Sequence, residues 1–178
     1  MTSFASALHV ARFDDAAFFA AQLFHESFAV AFPVPADNCG FPFPTPTENW
    51  HQYVAFYKWP DETIEPVGFC NWIRYDNVYL EGGMCVRRNF YRRLSKEHWA
   101  ECRAAGGVAQ LMMERAALQL NDCVAWFGYC GDRKASIVDA RAGYVPTRHK
   151  FLIVKWFADL AEGERRALED KLAAIGPF

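Results

Sequence analysis

The order of helix and strand patterns along the chain constrains its fold more than any other feature. Three β-rich runs follow one another at 51–59, 66–75 and 78–86. Turn signals separate these runs, and this spacing predicts an antiparallel meander. Four later segments alternate between helix and strand patterns, at 107–120, 122–130, 132–142 and 150–157. The combination predicts an α/β (α+β) fold with a mixed central sheet of six or seven strands and helices on both faces.

The two ends of the chain extend the same pattern. Residues 8–13 predict a first strand, and Asp14 or Asp15 caps the helix that follows. Residues 159–175 predict a C-terminal helix. Because neither an internal repeat nor a linker composition is present, residues 1–178 are expected to form a single domain.

Composition narrows the classes of protein that fit. Apolar residues make up 52% of the chain, charged residues 22%, and the formal net charge is -2. These values exclude intrinsic disorder and give no bulk electrostatic basis for nucleic-acid binding. No apolar run reaches the length of about 18 residues that a membrane helix requires, and the first residues lack the pattern of a secretory signal. We therefore expect a cytoplasmic protein with no membrane or nucleic-acid partner.

The cysteines and histidines do not form a metal-binding pattern. The six cysteines contain no Cys-x-x-Cys pair, and the five histidines are scattered singly. A zinc site would need these residue types clustered at ligand spacing. The cysteines are therefore interpreted as small buried apolar residues, and no metal is expected.

The run 78–86 carries two adjacent glycines, Gly82 and Gly83. Paired glycines weaken a strand interior and mark a bulge or a close approach by a ligand. If the sheet opens here, backbone N–H groups lose their partners and can bind an extended ligand or a developing oxyanion. A simple bulge, or a tightly packed glycine pair, is the alternative interpretation.

A second glycine pair, Gly106 and Gly107, opens the helix predicted at 107–120. Unpaired amides and the positive end of the helix dipole would meet there and form a site for an anion. The segment 87–103 leads into it and is strongly basic, which suits a phosphate ligand. A solvated basic loop is the alternative interpretation of this segment.

The element order and two motifs resemble the GNAT-type N-acetyltransferase superfamily over about residues 8–157. Residues 104–109 read Ala-Ala-Gly-Gly-Val-Ala and are similar to the loop that holds the acyl-CoA pyrophosphate in that family, although Ala104 stands where the family has Arg or Gln. Residues 132–144 are similar to the family's Asn-x-x-Ala helix that ends in Gly-Phe, with Asp132 in place of Asn. The chain is thus identified as an atypical member with a degenerate acyl-CoA motif.

This resemblance implies an acyl-CoA cosubstrate, acetyl-CoA or another acyl-CoA, and an amine as acceptor. The residues that it places at the cofactor are Met84, Cys85, Val86, Arg103, Gly106, Gly107, Val108, Ala109, Asp132 and Ala135. It also places the acceptor near the loop after the first long helix, which is rich in proline and carries Phe32, Phe41 and Phe43. These aromatic side chains are expected to line an acceptor pocket, and burial in a homodimer contact is the alternative.

Direct transfer from a thioester to an amine needs a base and a proton donor for the leaving thiolate. Glu81 lies on the strand that would border the thioester, and burial beside Tyr79 and Trp72 would raise its pKa toward neutrality. Asp139 stands where many family members carry the tyrosine that protonates the thiolate, so Tyr129 or water would have to serve. Pairing of Glu81 with a nearby arginine at the surface is the alternative.

The sequence leaves two other functions open. One is a non-catalytic protein of the same fold, with a lost or altered CoA site, that works through protein contacts. The other is a small-ligand binding domain whose pocket is formed by the segment from Phe32 to Trp50.

Overall fold

The fold is described from a computed structural model that covers residues 2–29, 32 and 49–178. The strands are β1 Leu8–Phe13, β2 Trp50–Lys58, β3 Ile64–Tyr75, β4 Val78–Val86, β5 Ala125–Tyr129, β6 Val145–Pro146 and β7 Leu152–Trp156. The helices are α1 Phe4–Ala7, α2 Ala17–Phe28, α3 Phe90–Arg93, α4 Lys96–Ala104, α5 Val108–Ala117, α6 Arg133–Arg141 and α7 Glu162–Ile175.

The described strands form one seven-stranded sheet in the order β1-β2-β3-β4-β5-β7-β6. The first four strands pair antiparallel in sequence order, which confirms the predicted meander. β4 pairs parallel with β5, and β5 pairs antiparallel with β7. The mixed sheet and the predicted fold class are therefore confirmed.

Helices cover both faces of this sheet. Successive side chains of a strand point to opposite faces, so the apolar strands present a core to each side. On one face Trp72 and Trp126 belong to a core shared with α1, α3, α4 and α5. On the other face Phe69 packs under α2 and Phe127 packs under α7. The central strands are buried on both sides, as expected from the unbroken apolar run of β5.

A bulge interrupts the pairing of β3 with β4. Cys70 pairs with Met84 and Trp72 pairs with Glu81, so Gly82 and Gly83 together face a single residue of β3. Gly83 has φ 122°, a backbone conformation that residues with a Cβ rarely adopt. The glycine pair therefore forms the bulge that the sequence predicts, and β4 changes direction there.

The basic segment 87–103 is helical rather than a loop, so the alternative interpretation of a solvated basic loop is wrong about the backbone and right about the solvation of the charges. It folds into α3 and α4, and α4 begins where the Ser95 hydroxyl accepts a hydrogen bond from the His98 amide. The cationic side chains of this insertion are mostly exposed. Periodicity did not reveal these helices because one is a single turn and the other carries charged residues on most faces.

Among the described cysteines, Cys70, Cys85 and Cys102 are buried, in agreement with their interpretation as apolar residues, whereas Cys123 and Cys130 are half-buried. No helix in the described part of the chain has the length and apolarity to cross a membrane.

Candidate active site

A cleft opens where β4 and β5 stop pairing. The two strands pair only from Val78 to Leu80 on β4, opposite Ala125 to Phe127 on β5. Beyond Leu80 they diverge and leave a cleft of about 570 Å³. Its walls include residues 81 and 83–86 of β4, Ala109 of α5, residues 129–132 at the end of β5 and just beyond it, and Lys134, Ala135, Val138 and Asp139 of α6. The bulge at Gly82–Gly83 and the divergence from β5 thus occur at the same level of the sheet.

Glu81 lies at the point of divergence and lines the cleft. Its carboxylate extends toward β5, where a Cβ added to Gly128 would lie 3.2 Å from Glu81 Oε2. Burial, reinforced by the negative charge of Asp139 and opposed by the Tyr144 hydroxyl, raises the pKa of Glu81 to about 8. No arginine or lysine of the described residues forms an ion pair with it. The expected alternative, a surface glutamate paired with an arginine, does not occur in this structure.

A second carboxyl group, that of Asp139 on α6, lines the same cleft with only 7% of its surface exposed. Burial raises the pKa of Asp139, and the nearby Cys130 thiol, which donates a hydrogen bond to the Asp132 carbonyl at 3.4 Å, opposes this rise. Burial and the proximity of Asp139 raise the pKa of Cys130 to about 12, so the thiol is protonated at neutral pH. The cleft therefore holds two desolvated carboxyl groups and a neutral thiol.

Two buried polar groups lie behind Glu81. Tyr144 follows α6 and its amide donates to the Asp139 carbonyl at 3.0 Å, which places the tyrosine under the end of the helix. Tyr144 Oη and Trp72 Nε1 are both buried, and neither completes a hydrogen bond of standard geometry within the described residues. Tyr144 is nevertheless close enough to Glu81 for its hydroxyl to lower the pKa of the carboxyl group, so the three side chains form one buried polar cluster.

Tyr129, the predicted proton donor, ends β5 and lines the cleft. Burial raises the pKa of its hydroxyl. Its ring packs edge-on against Phe178, with the two centroids 5.1 Å apart. Phe178 and Phe28 also line the cleft, so three aromatic rings contribute to its walls.

The structure brings six of the ten predicted cofactor residues into the cleft: Met84, Cys85, Val86, Ala109, Asp132 and Ala135. The other four do not line it: Arg103, Gly106, Gly107 and Val108. Val108 is fully buried, and Arg103 projects from the exposed side of α4. The strand and α6 parts of the predicted site thus meet, whereas the glycine-rich part lies beside the cleft rather than in it.

The helix α3 contacts the start of α5 and covers the amides that the sequence predicts as a phosphate site. The Tyr91 hydroxyl of α3 accepts a hydrogen bond from the Val108 amide at 3.4 Å. A Cβ added to Gly107 would lie 3.4 Å from the same hydroxyl. The Val108 amide, which the sequence predicts as an anion contact, is therefore already hydrogen-bonded to Tyr91. Nothing in the local sequence pattern of 87–103 signalled this residue.

Asp132 has a local structural function at the edge of the cleft. Its carboxylate accepts hydrogen bonds from the amides of Lys134 at 2.8 Å and Ala135 at 2.9 Å and so caps α6. These hydrogen bonds lower the pKa of Asp132.

The predicted acceptor residues are not in the cleft as far as the structure describes them. Phe32 packs on Phe69 and Phe24 on the α2 face, with ring centroids 4.7 and 5.1 Å apart. Phe41 and Phe43 lie outside the described residues, as does most of the segment from Phe32 to Trp50 that could form a small-ligand pocket. Phe28, four residues before Phe32, is the aromatic side chain of α2 that does reach the cleft.

Sequence reasoning missed Gly128, Tyr144 and Phe178 as parts of the site. The adjacent Gly128-Tyr129 in an otherwise apolar strand was a usable signal, because a glycine there makes room for the Glu81 side chain. Phe178 carried no signal, since its position depends on how α7 packs on the sheet. Among the described residues, no group of three metal-ligating side chains is close enough to hold a metal ion.

No family model and no curated protein matches this sequence. Solved structures, however, have a similar arrangement of elements. A protein from Desulfovibrio desulfuricans that is assigned to the GNAT acetyltransferase family superposes with a TM-score of 0.53 at 10% identity, over 85% of this chain and 100% of that chain. A ribosomal-protein-alanine N-acetyltransferase from Escherichia coli gives a TM-score of 0.50 at 10% identity, over 87% of this chain and 97% of that chain.

A third similar structure, assigned as an acetyltransferase from Pyrococcus horikoshii, gives a TM-score of 0.52 at 14% identity. The match spans 79% of this chain and 44% of that longer chain. Similarity at such low identity establishes the fold and not the reaction. The chain therefore has the fold of the GNAT-type N-acetyltransferases.

Proposed function

We propose that the cleft binds the pantetheine arm of an acyl-CoA, acetyl-CoA or a related thioester, and that the protein transfers the acyl group directly to an amine. The observation that carries this proposal is the divergence of β4 from β5 beside Glu81, a desolvated carboxylate that no described cation pairs with. A buried titratable group at an opening in a sheet is the arrangement expected of an acid–base site.

The open edge of β4 supports binding of an extended donor. Met84, Cys85 and Val86 pair with β3 on one side, and β5 has diverged from their other side. Their free backbone groups can pair with the amides of a pantetheine arm as a neighbouring strand would. Ala135 and Val138 on α6 provide a small apolar wall opposite this edge.

Glu81 is suited to remove the proton that the reaction releases. Attack of a neutral amine on the thioester carbonyl forms the C–N bond and leaves a positively charged nitrogen. Glu81 takes a proton from this nitrogen as the C–S bond breaks, and the thiolate leaves with a proton from an acid in the cleft. Tyr129 is the acid that the sequence proposes, and it lines the cleft.

The raised pKa of Glu81 predicts a specific pH dependence. A base must be deprotonated to act, so kcat/KM should rise about tenfold per pH unit below pH 8 and become level above it. The measurement is a pH profile with a nitroaniline acceptor, whose conjugate acid has a pKa well below the ordinary glutamate value, so that the acceptor stays neutral and contributes no limb of its own. A limb near pH 4.5, the ordinary value for glutamate, would contradict this role for a desolvated Glu81.

Thermal unfolding in the presence of acetyl-CoA tests the proposed function before any acceptor is known. A ligand that binds only the folded state adds about 2.7 kcal/mol at one hundred times its Kd. For a chain of this size the expected rise in Tm is roughly 5–10 °C. A Tm independent of acetyl-CoA, together with no thiol release in the presence of amines, would refute the proposal.

A second candidate function is that of a GNAT-fold protein with an altered CoA site. The position of Tyr91 favours it, because the Tyr91 hydroxyl accepts the hydrogen bond of the Val108 amide. If the CoA pyrophosphate binds at α5, Tyr91→Phe should strengthen acetyl-CoA binding by about fivefold. The substitution removes the competing acceptor, and one hydrogen bond contributes about 1 kcal/mol. Calorimetric titration measures this change.

Acetyl-pantetheine, which lacks the nucleotide and its phosphates, is the matched control ligand and should bind both forms equally. Weaker acetyl-CoA binding by Tyr91→Phe would show instead that the hydroxyl itself holds a phosphate.

A further inference from the structure

The inserted helices α3 and α4 begin and end at the wall of the cleft. Val86, the last residue of β4, lines the cleft, and so does Ala109 in the first turn of α5. The chain between these two residues contains the whole insertion. A ligand that extends along β4 past Val86 therefore meets the insertion.

The insertion concentrates positive charge in a chain that is otherwise acidic. Residues 87–103 contain six arginine or lysine side chains and two glutamates, a formal charge of +4, whereas the whole chain carries -2. Of the six cations, Arg93 alone forms an ion pair with a described residue, Glu65 at 2.7 Å. Four of the others are exposed and available to an anionic ligand: Arg88, Arg92, Lys96 and Arg103.

One face of α4 places two of these cations beside an exposed aromatic ring. Lys96, Trp99 and Arg103 follow one another at spacings of three and four residues, which puts them on the same side of the helix. Trp99 is 42% exposed, and it is the one exposed side chain among the six tryptophans, all of which the structure describes. We call these three side chains the α4 face.

The two glutamates of α4 do not lie on the α4 face. Glu101 is on the opposite side of the helix, where its carboxylate accepts a hydrogen bond from the Phe4 amide at 2.7 Å and lines a separate groove against α1. Glu97 also lies away from the α4 face, since it follows Lys96 by one residue and precedes Trp99 by two. The cations of the α4 face are therefore not neutralised by their own helix.

Tyr91 of α3 connects the α4 face with the start of α5. Its ring contacts the Trp99 ring, with the two centroids 5.5 Å apart. Its hydroxyl accepts the hydrogen bond of the Val108 amide at 3.4 Å, and the next residue, Ala109, lines the cleft. A single side chain thus bridges the exposed tryptophan and the helical turn that borders the cleft.

We infer that the nucleotide end of the acyl-CoA binds on the α4 face, with its adenine stacked on Trp99 and its phosphates paired with Lys96 and Arg103, rather than on the amides that open α5. This inference rests on the proposed function. The nucleotide end of CoA presents a flat aromatic base and several anionic groups, which are the chemistries that an exposed indole flanked by cations binds. The Val108 amide is already hydrogen-bonded to Tyr91, so the α4 face supplies the contacts that the start of α5 does not offer.

Adenosine 3′,5′-bisphosphate, which has the base and phosphates without the thiol arm, tests the α4 face directly. It should bind the wild-type protein in a calorimetric titration, and Trp99→Ala should weaken this binding about tenfold, the usual loss when a base loses its aromatic partner. Arg103→Glu should weaken it at least as much, because a repulsive charge replaces an attractive one. Arg141→Glu, the same change at an exposed position of α6, is the matched control and should bind normally. Wild-type affinity in Trp99→Ala, or no binding by the wild-type protein, would overturn the inference.

A comparison of two donors tests whether the α4 face and the cleft hold the same molecule. Trp99→Ala should weaken acetyl-CoA binding about tenfold and leave the affinity for acetyl-pantetheine, which lacks the nucleotide, unchanged. Because Trp99 is exposed, the unliganded variant should keep the Tm of the wild-type protein. Unchanged acetyl-CoA affinity in this folded variant would contradict the inference. Tighter acetyl-CoA binding by Tyr91→Phe would also contradict it, since the phosphates would then lie at α5.

The proposed function and this inference fail in different ways. If neither acetyl-CoA nor acetyl-pantetheine binds, the proposed function fails and the inference with it. If acetyl-pantetheine binds and the bisphosphate does not, only the inference fails. Binding of a short single-stranded RNA that Trp99→Ala weakens, with acetyl-CoA affinity unaffected by the same substitution, would assign the α4 face to a nucleic acid and overturn the inference.

Discussion

Glu81→Gln is expected to lower kcat for amine acetylation by about 10²–10⁴-fold, the usual contribution of a positioned general base. The amide has nearly the shape of the carboxyl group and fills the same space beside Gly128, but it cannot accept the proton of the attacking amine. Release of the CoA thiol under saturating acetyl-CoA measures this loss. Wild-type activity in the variant would remove Glu81 from the mechanism.

The thermal stability of Glu81→Gln is the control that separates loss of the base from misfolding. Because the pKa of Glu81 is raised from 4.5 to about 8, the folded state binds this proton more tightly than the unfolded state does. The free energy of unfolding therefore falls as the pH rises from about 4.5 to 8, and glutamine escapes that loss. At pH 9 the variant should gain on the order of 2 kcal/mol, roughly 4–8 °C in Tm, after allowance for solvent access in the cleft.

Loss of activity with a higher Tm at alkaline pH cannot come from misfolding. Acetyl-CoA should still stabilise Glu81→Gln as much as it stabilises the wild-type protein, because the carboxyl group acts on the reaction and not on donor binding. A variant that is less stable than the wild-type protein at pH 9 would contradict the burial of a charged Glu81.

Ala135→Trp is expected to weaken acetyl-CoA binding by at least 100-fold. Ala135 lies on the exposed part of α6 that lines the cleft, so an indole ring there fills the space opposite β4 without disturbing the core. Calorimetric titration with acetyl-CoA measures the loss. Donor affinity that survives this substitution would place the pantetheine arm elsewhere.

Ile137→Trp is the matched control for the blocked cleft. Ile137 lies two residues further along the same helix, is 50% exposed and does not line the cleft. The same indole ring at this position should leave donor affinity unchanged. A similar loss in both variants would indicate that a tryptophan on α6 disturbs the helix rather than blocks the cleft.

The sequence alone predicted the sheet well because its signals are local. Gly82 and Gly83 predicted the bulge that turns β4, and the apolar run of β5 predicted a strand buried on both faces. Alternation and glycine placement act over a few residues, so they can be read without the tertiary structure. Glu81 could be singled out because the family resemblance placed the thioester beside its strand.

The parts that the sequence did not predict depend on contacts between distant segments. Tyr91 reaches the start of α5 only because α3 and α4 are inserted in the chain between β4 and that helix. The effect of Asp139 on the pKa of Glu81 joins residues 58 positions apart in the chain, across the gap between β4 and α6. Phe178 reaches Tyr129 through the packing of α7 on the opposite face. The spacing and composition of the sequence do not predict such contacts between distant segments.

Mapping of backbone amide shifts by NMR as acetyl-CoA is added tests the central claim most directly. Saturable shifts are expected at Met84, Cys85 and Val86 on β4 and at Ala135 on α6. A second groove, between α1 and α4 and lined by Ala5, Glu101 and Ala105 among others, should show no change. Shifts confined to that groove, or amides that do not respond at millimolar acetyl-CoA, would show that the opening between β4 and β5 is not a donor site.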